Sequence, residues 1–284
     1  MGGRGKWKWK RVPMTLVMLL AAAEMLSLSG PVGAAPAVSS AEVLGAAAPA
    51  AAAVLETLDQ PGMRAMAAKI PRPSPETEPE TAVPAGPDVP EGETVEDAYF
   101  DDAVFLGDSR TEGFRLYSGL KTGTYLCATG ATVESVFSRN VLDTGAGKVP
   151  LMDGLSDVAC GKIYVMLGIN ELGWPRTEDF RDQYAKIVDR VREVHPDAKI
   201  VLQSILPVSA KYNARGSYIN NDRIAVFNQI VRDLAEEKEC FYLDVSAAVT
   251  GEDGCLKPEL NFDGVHLNPA GCRLWLEYLR THSV

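Results

Sequence analysis

The run Ala103-Val104-Phe105-Leu106-Gly107-Asp108-Ser109-Arg110 decides the reading of this chain. Four apolar residues make a strand, Gly107 lets the backbone turn where a side chain would resist, and Ser109 opens the next segment. A serine at a helix start lies among free N–H groups and the positive end of the helix dipole, where developing negative charge is favoured. Such a serine can attack an acyl carbon. A plainer role is also open, because serine is a preferred helix cap and Glu112 stands three positions later, as in a capping box at the start of an expected helix over 109–117.

Far downstream, Phe262-Asp263-Gly264-Val265-His266-Leu267 precedes Pro269 and a last amphipathic segment. Serine at neutral pH is a poor nucleophile and needs a base within hydrogen-bond reach, itself oriented by a third group. His266 and Asp263 suit those two roles. The chain has 3 histidines. His195 ends a helical pattern before Pro196 and His282 lies in the tail, so histidine-assisted chemistry points to His266. A purely structural histidine is the alternative.

Between these segments, Thr129-Gly130-Ala131 and Gly168-Ile169-Asn170-Glu171 each come after a predicted strand. Attack on an ester creates a tetrahedral oxyanion, which calls for preorganised donors such as a backbone N–H and an asparagine amide. Gly130 and Asn170 offer one of each. Both are also ordinary loop residues that tolerate unusual backbone angles.

In order, Gly107-Asp108-Ser109, Gly130, Gly168-Ile169-Asn170 and Asp263-Gly264-Val265-His266 resemble the blocks of the SGNH/GDSL hydrolase family, over roughly 99–284. The resemblance implies Ser109 as nucleophile, its own N–H with Gly130 and Asn170 as oxyanion donors, His266 as base and Asp263 as its orienting acid. It implies no cofactor and no metal. Two positions depart from the pattern: Arg110 stands where the name-giving leucine would be, and Glu171 comes after Asn170 where aspartate is more common. Both are expected at the substrate, Arg110 as a positive charge near the site, and a solvated helix residue is the other reading of Arg110.

After Phe100 the pattern alternates, with strands expected near 103–106, 124–128, 162–167, 199–204 and 241–245 and helices near 109–117, 131–138, 177–194, 220–238 and 269–281. Alternation of this kind makes a parallel sheet, and short, wholly apolar strands mean helices on both faces: a three-layer α/β/α sandwich. The flavodoxin-like five-stranded order 2-1-3-4-5 is what the resemblance implies. In such sheets the functional crevice lies at the carboxyl ends of the strands, where the order reverses. Two longer loops are expected to shape it. The loop 206–219 carries Lys211, Tyr212, Arg215 and Tyr218, suited to a sugar or an anionic polymer, and Tyr212 and Trp174 are expected to touch substrate, with local packing beside Pro175 as the other reading of Trp174. The segment 140–161 is the other candidate wall.

The first third does not read as a core. Arg4, Lys6, Lys8, Lys10 and Arg11 precede an apolar stretch, and Gly33-Ala34-Ala35-Pro36-Ala37 comes after it, the pattern of an export signal over 1–37, with an uncleaved membrane tether as the alternative. An alanine-rich and then proline- and glutamate-rich stretch over 38–92 reads as an extended linker, and 93–284 as the hydrolase domain. A formal net charge of −10 argues against a nucleic-acid partner. The 5 cysteines make no disulfide framework and no metal spacing, leaving one pairing among Cys240, Cys255 and Cys272 open.

The chain is therefore expected to be a secreted or extracytoplasmic serine esterase whose substrate is an acylated, above all O-acetylated, glycan. A lipase or lysophospholipase and a non-catalytic glycan-binding module are the competitors. A metal-dependent phosphatase built on Asp108, Asp244, Asp263 and His266 is a third reading, and it leaves Ser109, Gly130 and Asn170 without a purpose.

Overall fold

Five short runs rich in β-branched and aromatic residues form one parallel sheet in the computed structural model, which describes residues 87–284. In chain order they are β1 (Ala103–Gly107), β2 (Thr124–Cys127), β3 (Lys162–Met166), β4 (Lys199–Gln203) and β5 (Phe241–Leu243). Their spatial order is β2-β1-β3-β4-β5, so the order reverses between β1 and β3, in the flavodoxin-like arrangement. The export signal over 1–37 and the linker as far as residue 86 lie outside the described residues.

Four helices complete the three layers. α1 (Ser109–Tyr117) and α4 (Pro269–Thr281) cover one face, and α2 (Thr177–Val194) and α3 (Asn221–Glu237) cover the other. Their apolar residues recur at helical spacing: Phe180, Tyr184, Ile187, Val188 and Val191 on α2, and Cys272, Trp275, Leu276 and Leu279 on α4. Asn220 caps α3 by accepting from the Arg223 N–H, and Asn268 caps α4 by accepting from Ala270 and Gly271, with Pro269 in the first turn.

The sheet thus divides the interior into two cores. On the α1/α4 side, Phe105 stacks between its register partners Tyr125 (centroids 4.9 Å apart) and Tyr164 (5.2 Å), and Phe114 packs on Trp275 at 4.6 Å. On the α2/α3 side, Val104, Leu106, Ile163, Val165 and Leu202 meet Phe180, Ile187 and Phe227. Alternate side chains of each strand serve opposite cores, which is why the strands read as unbroken apolar runs.

Two expectations are corrected. The helix expected over 131–138 shrinks to a 3-10 turn, Ser135–Phe137. Thr132 and Ser135 take each other's N–H groups with their hydroxyls, at 3.0 and 2.9 Å, and so compete with a helical ladder. Residues 87–92, assigned to the linker, belong to the fold: Tyr242 N–H donates to Pro87 O, Val89 N–H to Tyr242 O and Gly92 N–H to Thr281 O. The segment 140–161 lends Leu142, Leu151, Met152 and Leu155 to the α2/α3 core, while much of the rest of it is exposed. All five cysteines are free thiols, so the open pairing among Cys240, Cys255 and Cys272 is not made. Among the described residues no helix is long and apolar enough to cross a membrane.

Candidate active site

β1 delivers Asp108 and Ser109 to the sheet edge where the strand order reverses. Gly107 is required there, because a Cβ at this position would stand 2.0 Å from Thr111 Oγ1 and 2.7 Å from the Met166 carbonyl. The cap of α1 is Asp108 and not Ser109: its carboxylate accepts the Arg110 N–H at 2.8 Å. Glu112, expected in a capping box, instead accepts from the Thr129 hydroxyl at 2.8 Å. The Ser109 hydroxyl is left for another partner, and that partner is His266, with Oγ and Nε2 3.0 Å apart.

His266 comes from the loop before α4. Its Nδ1 lies 2.8 Å from Asp263 Oδ2, and the other oxygen, Oδ1, accepts the N–H groups of Val265 (2.9 Å) and His266 (2.8 Å). Burial works to raise the Asp263 pKa, but these hydrogen bonds and the facing imidazole outweigh it and hold the carboxyl below its ordinary value. A hydroxyl, an imidazole and an ionised carboxylate therefore stand in series. Such a series can take a proton from the hydroxyl and return it.

The loop bearing this pair is seated by a segment whose role the sequence does not announce. Ser209 N–H donates to Gly264 O at 2.8 Å, while its hydroxyl accepts the Tyr212 N–H at 3.3 Å and so caps a single helical turn, Ala210–Asn213. Gly264 has φ +94°, and a Cβ there would lie 2.6 Å from Ser209 Oγ and 2.9 Å from Tyr212 Cβ. Tyr212 is thus packed against the loop that carries Asp263 and His266, and the Arg215 guanidinium lies 4.6 Å over its ring. The cue for Ser209 was available: a serine after Pro207-Val208, at the start of a polar segment.

The two expected oxyanion loops are joined to each other. Asn170 Nδ2 donates to Ala131 O at 2.8 Å, which uses one of its two amide hydrogens and leaves the other. Gly130 has φ +70° and Gly168 φ +130°, conformations that favour glycine, and at Gly168 a Cβ would also meet Ile205 at 2.4 Å. Ala128 N–H donates to Gly107 O at 3.2 Å, fastening the Gly130 loop to the end of β1. Among the described residues, neither the Ser109 N–H nor the Gly130 N–H meets a protein acceptor.

Arg110, Glu171 and Trp174 are placed differently from expectation. Arg110 is 3% exposed: Nη1 donates to Leu206 O at 2.6 Å, while Nε and Nη2 have no protein partner. Burial lowers its pKa to about 10 against the pull of Asp108, Asp263 and Tyr212, so it is a charged strut beneath the site rather than a contact surface. Glu171 is 0% exposed and turned inward, with Oε1 accepting the Val133 N–H at 2.6 Å. The indole of Trp174 is half-buried against the α2/α3 core, with its carbonyl accepting from Arg223. Among the described residues no three His, Cys, Asp or Glu side chains gather where they could hold an ion.

The sequence profile of the GDSL-like Lipase/Acylhydrolase family matches residues 105–274, from β1 into α4 and across every segment just described. The chain belongs to this family. It is accordingly an SGNH-type serine hydrolase acting on ester bonds. Among solved structures, this acylhydrolase is similar to a protein from Streptococcus pneumonia named for platelet activating factor. The two are 25% identical, covering 63% of this chain and 81% of that one, with a TM-score of 0.51. A GDSL-like lipase from Bacteroides thetaiotaomicron is 15% identical over 66% of this chain and 88% of its own, with a TM-score of 0.48. A carbohydrate acetylesterase family member from Sinorhizobium meliloti is 20% identical over 63% and 94%, with a TM-score of 0.46. No curated protein matches the chain.

Proposed function

We propose that this acylhydrolase is an exported esterase that removes small acyl groups, above all O-acetyl, from an extracellular or cell-wall glycan, with Ser109 as its nucleophile. The observation that carries the catalytic part is the hydrogen-bonded series Ser109 Oγ, His266 Nε2 and Nδ1, and Asp263 Oδ2, at 3.0 and 2.8 Å. Oγ bonds to the acyl carbon while its proton passes to Nε2, and the carbonyl oxygen, now negative, is received by the N–H groups of Ser109 and Gly130 and by the remaining Asn170 amide hydrogen. The bond to the sugar oxygen then breaks and His266 gives that oxygen its proton. Water attacks the acyl-serine with His266 as base, the carboxylic acid leaves, and Ser109 regains its hydrogen. Asp263 holds the imidazole in the tautomer with the Nδ1 proton toward itself and stabilises the imidazolium.

Export is supported by the basic residues, apolar stretch and small residues of 1–37. The glycan is supported by the polar and aromatic loop 206–219, which seats Tyr212 on Gly264 and lays Tyr218, 50% exposed, against Gly173 in the Asn170 loop. One feature favours a longer acyl chain instead: Phe262, next to Asp263, is 46% exposed and meets Tyr117 edge-on at 5.9 Å. Hydrolysis of aryl esters from acetyl to octanoyl, with Ser109→Ala alongside, separates the readings. Activity confined to the wild type and falling with chain length, together with acetate release from an O-acetylated polysaccharide, is the expected result. A rise toward octanoyl gives the lipid reading, and full activity in Ser109→Ala overturns the nucleophile.

A further inference from the structure

Glu171 is a fully buried carboxyl between the two loops that frame Ser109. Its Oε1 accepts the N–H of Val133, itself buried, at 2.6 Å. The residue before it, Asn170, donates to Ala131 in that same loop. Two adjacent residues at the end of β3 therefore grip the loop after β2 at two points, Ala131 and Val133, immediately beyond Gly130. The other ties of this loop lie to either side of the gripped residues: Ala128 N–H donates to Gly107 O and the Thr129 hydroxyl to Glu112 before Gly130, and Met152 N–H donates to Val136 O after Val133, while the hydroxyls of Thr132 and Ser135 serve each other.

The second oxygen, Oε2, is buried with no protein partner. An unpaired carboxylate oxygen in such a place is costly, and desolvation accordingly raises the carboxyl pKa to about 8, with Asp108 adding to the rise. At neutral pH the carboxyl is mostly neutral, and Oε1 still accepts. A buried carboxyl that is mostly neutral and accepts the Val133 N–H serves position and not charge.

We propose that Glu171 is the positioning residue of the oxyanion site, fixing the Gly130 N–H relative to the Asn170 amide through its hydrogen bond to Val133. The inference rests on the reading of Gly130 and Asn170 as oxyanion donors. Aspartate, one methylene shorter, cannot span the same gap without moving one of the loops. Glutamine keeps the length and an acceptor oxygen, and leucine keeps the bulk but loses the acceptor.

Steady-state kinetics on an aryl acetate with the full chain test this. Glu171→Leu and Glu171→Asp are expected to lower kcat by about 10- to 100-fold, a part of the cost of losing a whole oxyanion donor, with KM within about twofold of wild type. Glu171→Gln is expected to recover kcat to within about threefold. An arylboronate, whose adduct on serine carries the tetrahedral oxygen, should lose affinity in Glu171→Leu and Glu171→Asp in parallel with kcat. Wild-type kcat in both variants, a loss confined to KM, or a glutamine variant as impaired as leucine overturns the inference. Its failure is separable from that of the wider reading: Asn170→Ala left at wild-type rate removes the oxyanion assignment itself, whereas an impaired Asn170→Ala beside normal Glu171 variants removes only the positioning role.

Discussion

Replacing Ser109 with alanine deletes the hydroxyl 3.0 Å from His266 Nε2, and replacing His266 deletes its base. Each single change is expected to lower kcat by about 10⁴-fold or more, with the double variant little worse, since the pair acts as one unit. Additive losses in the same aryl-acetate assay would contradict a shared step. Asn170→Ala should cost about 100-fold in kcat, measured at saturating substrate. The hydrogen-bonded set Ser109, His266 and Asp263 was legible as residue types, because few other pairings of serine, histidine and aspartate were available in a chain with 3 histidines. Arg110 and Glu171 were not. A charged side chain in sequence reads as solvent-facing, and only tertiary packing reveals that one reaches under a neighbouring loop to Leu206 and the other across to Val133.

At the scale of elements, the five strands and four long helices arise from period and caps, and their bounds agree with expectation to within two residues. The exception, 131–138, has apolar residues at tolerable helical spacing, but the Thr132 and Ser135 hydroxyls and the Glu171 carboxyl claim its N–H groups. Competition of this kind depends on partners up to 38 positions away and is invisible to a local pattern. The acid–base loop offers a prediction at the same scale. Gly264→Ala puts a methyl group into Ser209 and Tyr212 at a φ of +94°, so it should displace the Asp263–His266 segment while leaving the sheet intact. The expected result is a drop of several degrees in Tm and at least about a tenfold loss of kcat, with far-UV circular dichroism unchanged. Wild-type kinetics would mean that this fit does not set the imidazole.

For the whole molecule, the buried Glu171 carboxyl makes stability depend on pH. Its pKa is near 4.5 in an exposed chain and about 8 in the fold, so between these values the folded state keeps a proton that the unfolded state has released. Stability contributed by the neutral carboxyl is full below about pH 4.5 and is lost as pH rises through about 8, at up to about 1.4 kcal/mol per unit. Glu171→Gln cannot ionise. Urea unfolding should therefore find the variant close to wild type at pH 5 and more stable by a few kcal/mol at pH 9. Asp263 shifts in the opposite sense and is common to both proteins, so it cancels in the comparison. An unchanged difference across the range would place the Glu171 titration elsewhere.

The division of the interior by the sheet gives the catalytic parts separate foundations. Ser109 and His266 stand at the heads of α1 and α4, which pack on the Phe105 and Trp275 side, whereas Ala131, Val133, Ile169 and Leu172, which anchor the Gly130 and Asn170 loops, are rooted on the α2/α3 side. On the proposed mechanism, Ser109 with its own N–H is mounted on one side of this wall and the Gly130 and Asn170 donors on the other. Damage to either foundation leaves a different remainder. On the proposed mechanism, loosening around α1 and α4 disturbs Ser109 together with its own N–H, and loosening around α2 and α3 disturbs only the Gly130 and Asn170 donors. Sequence drift on one side can retune one half of the chemistry without rebuilding the other.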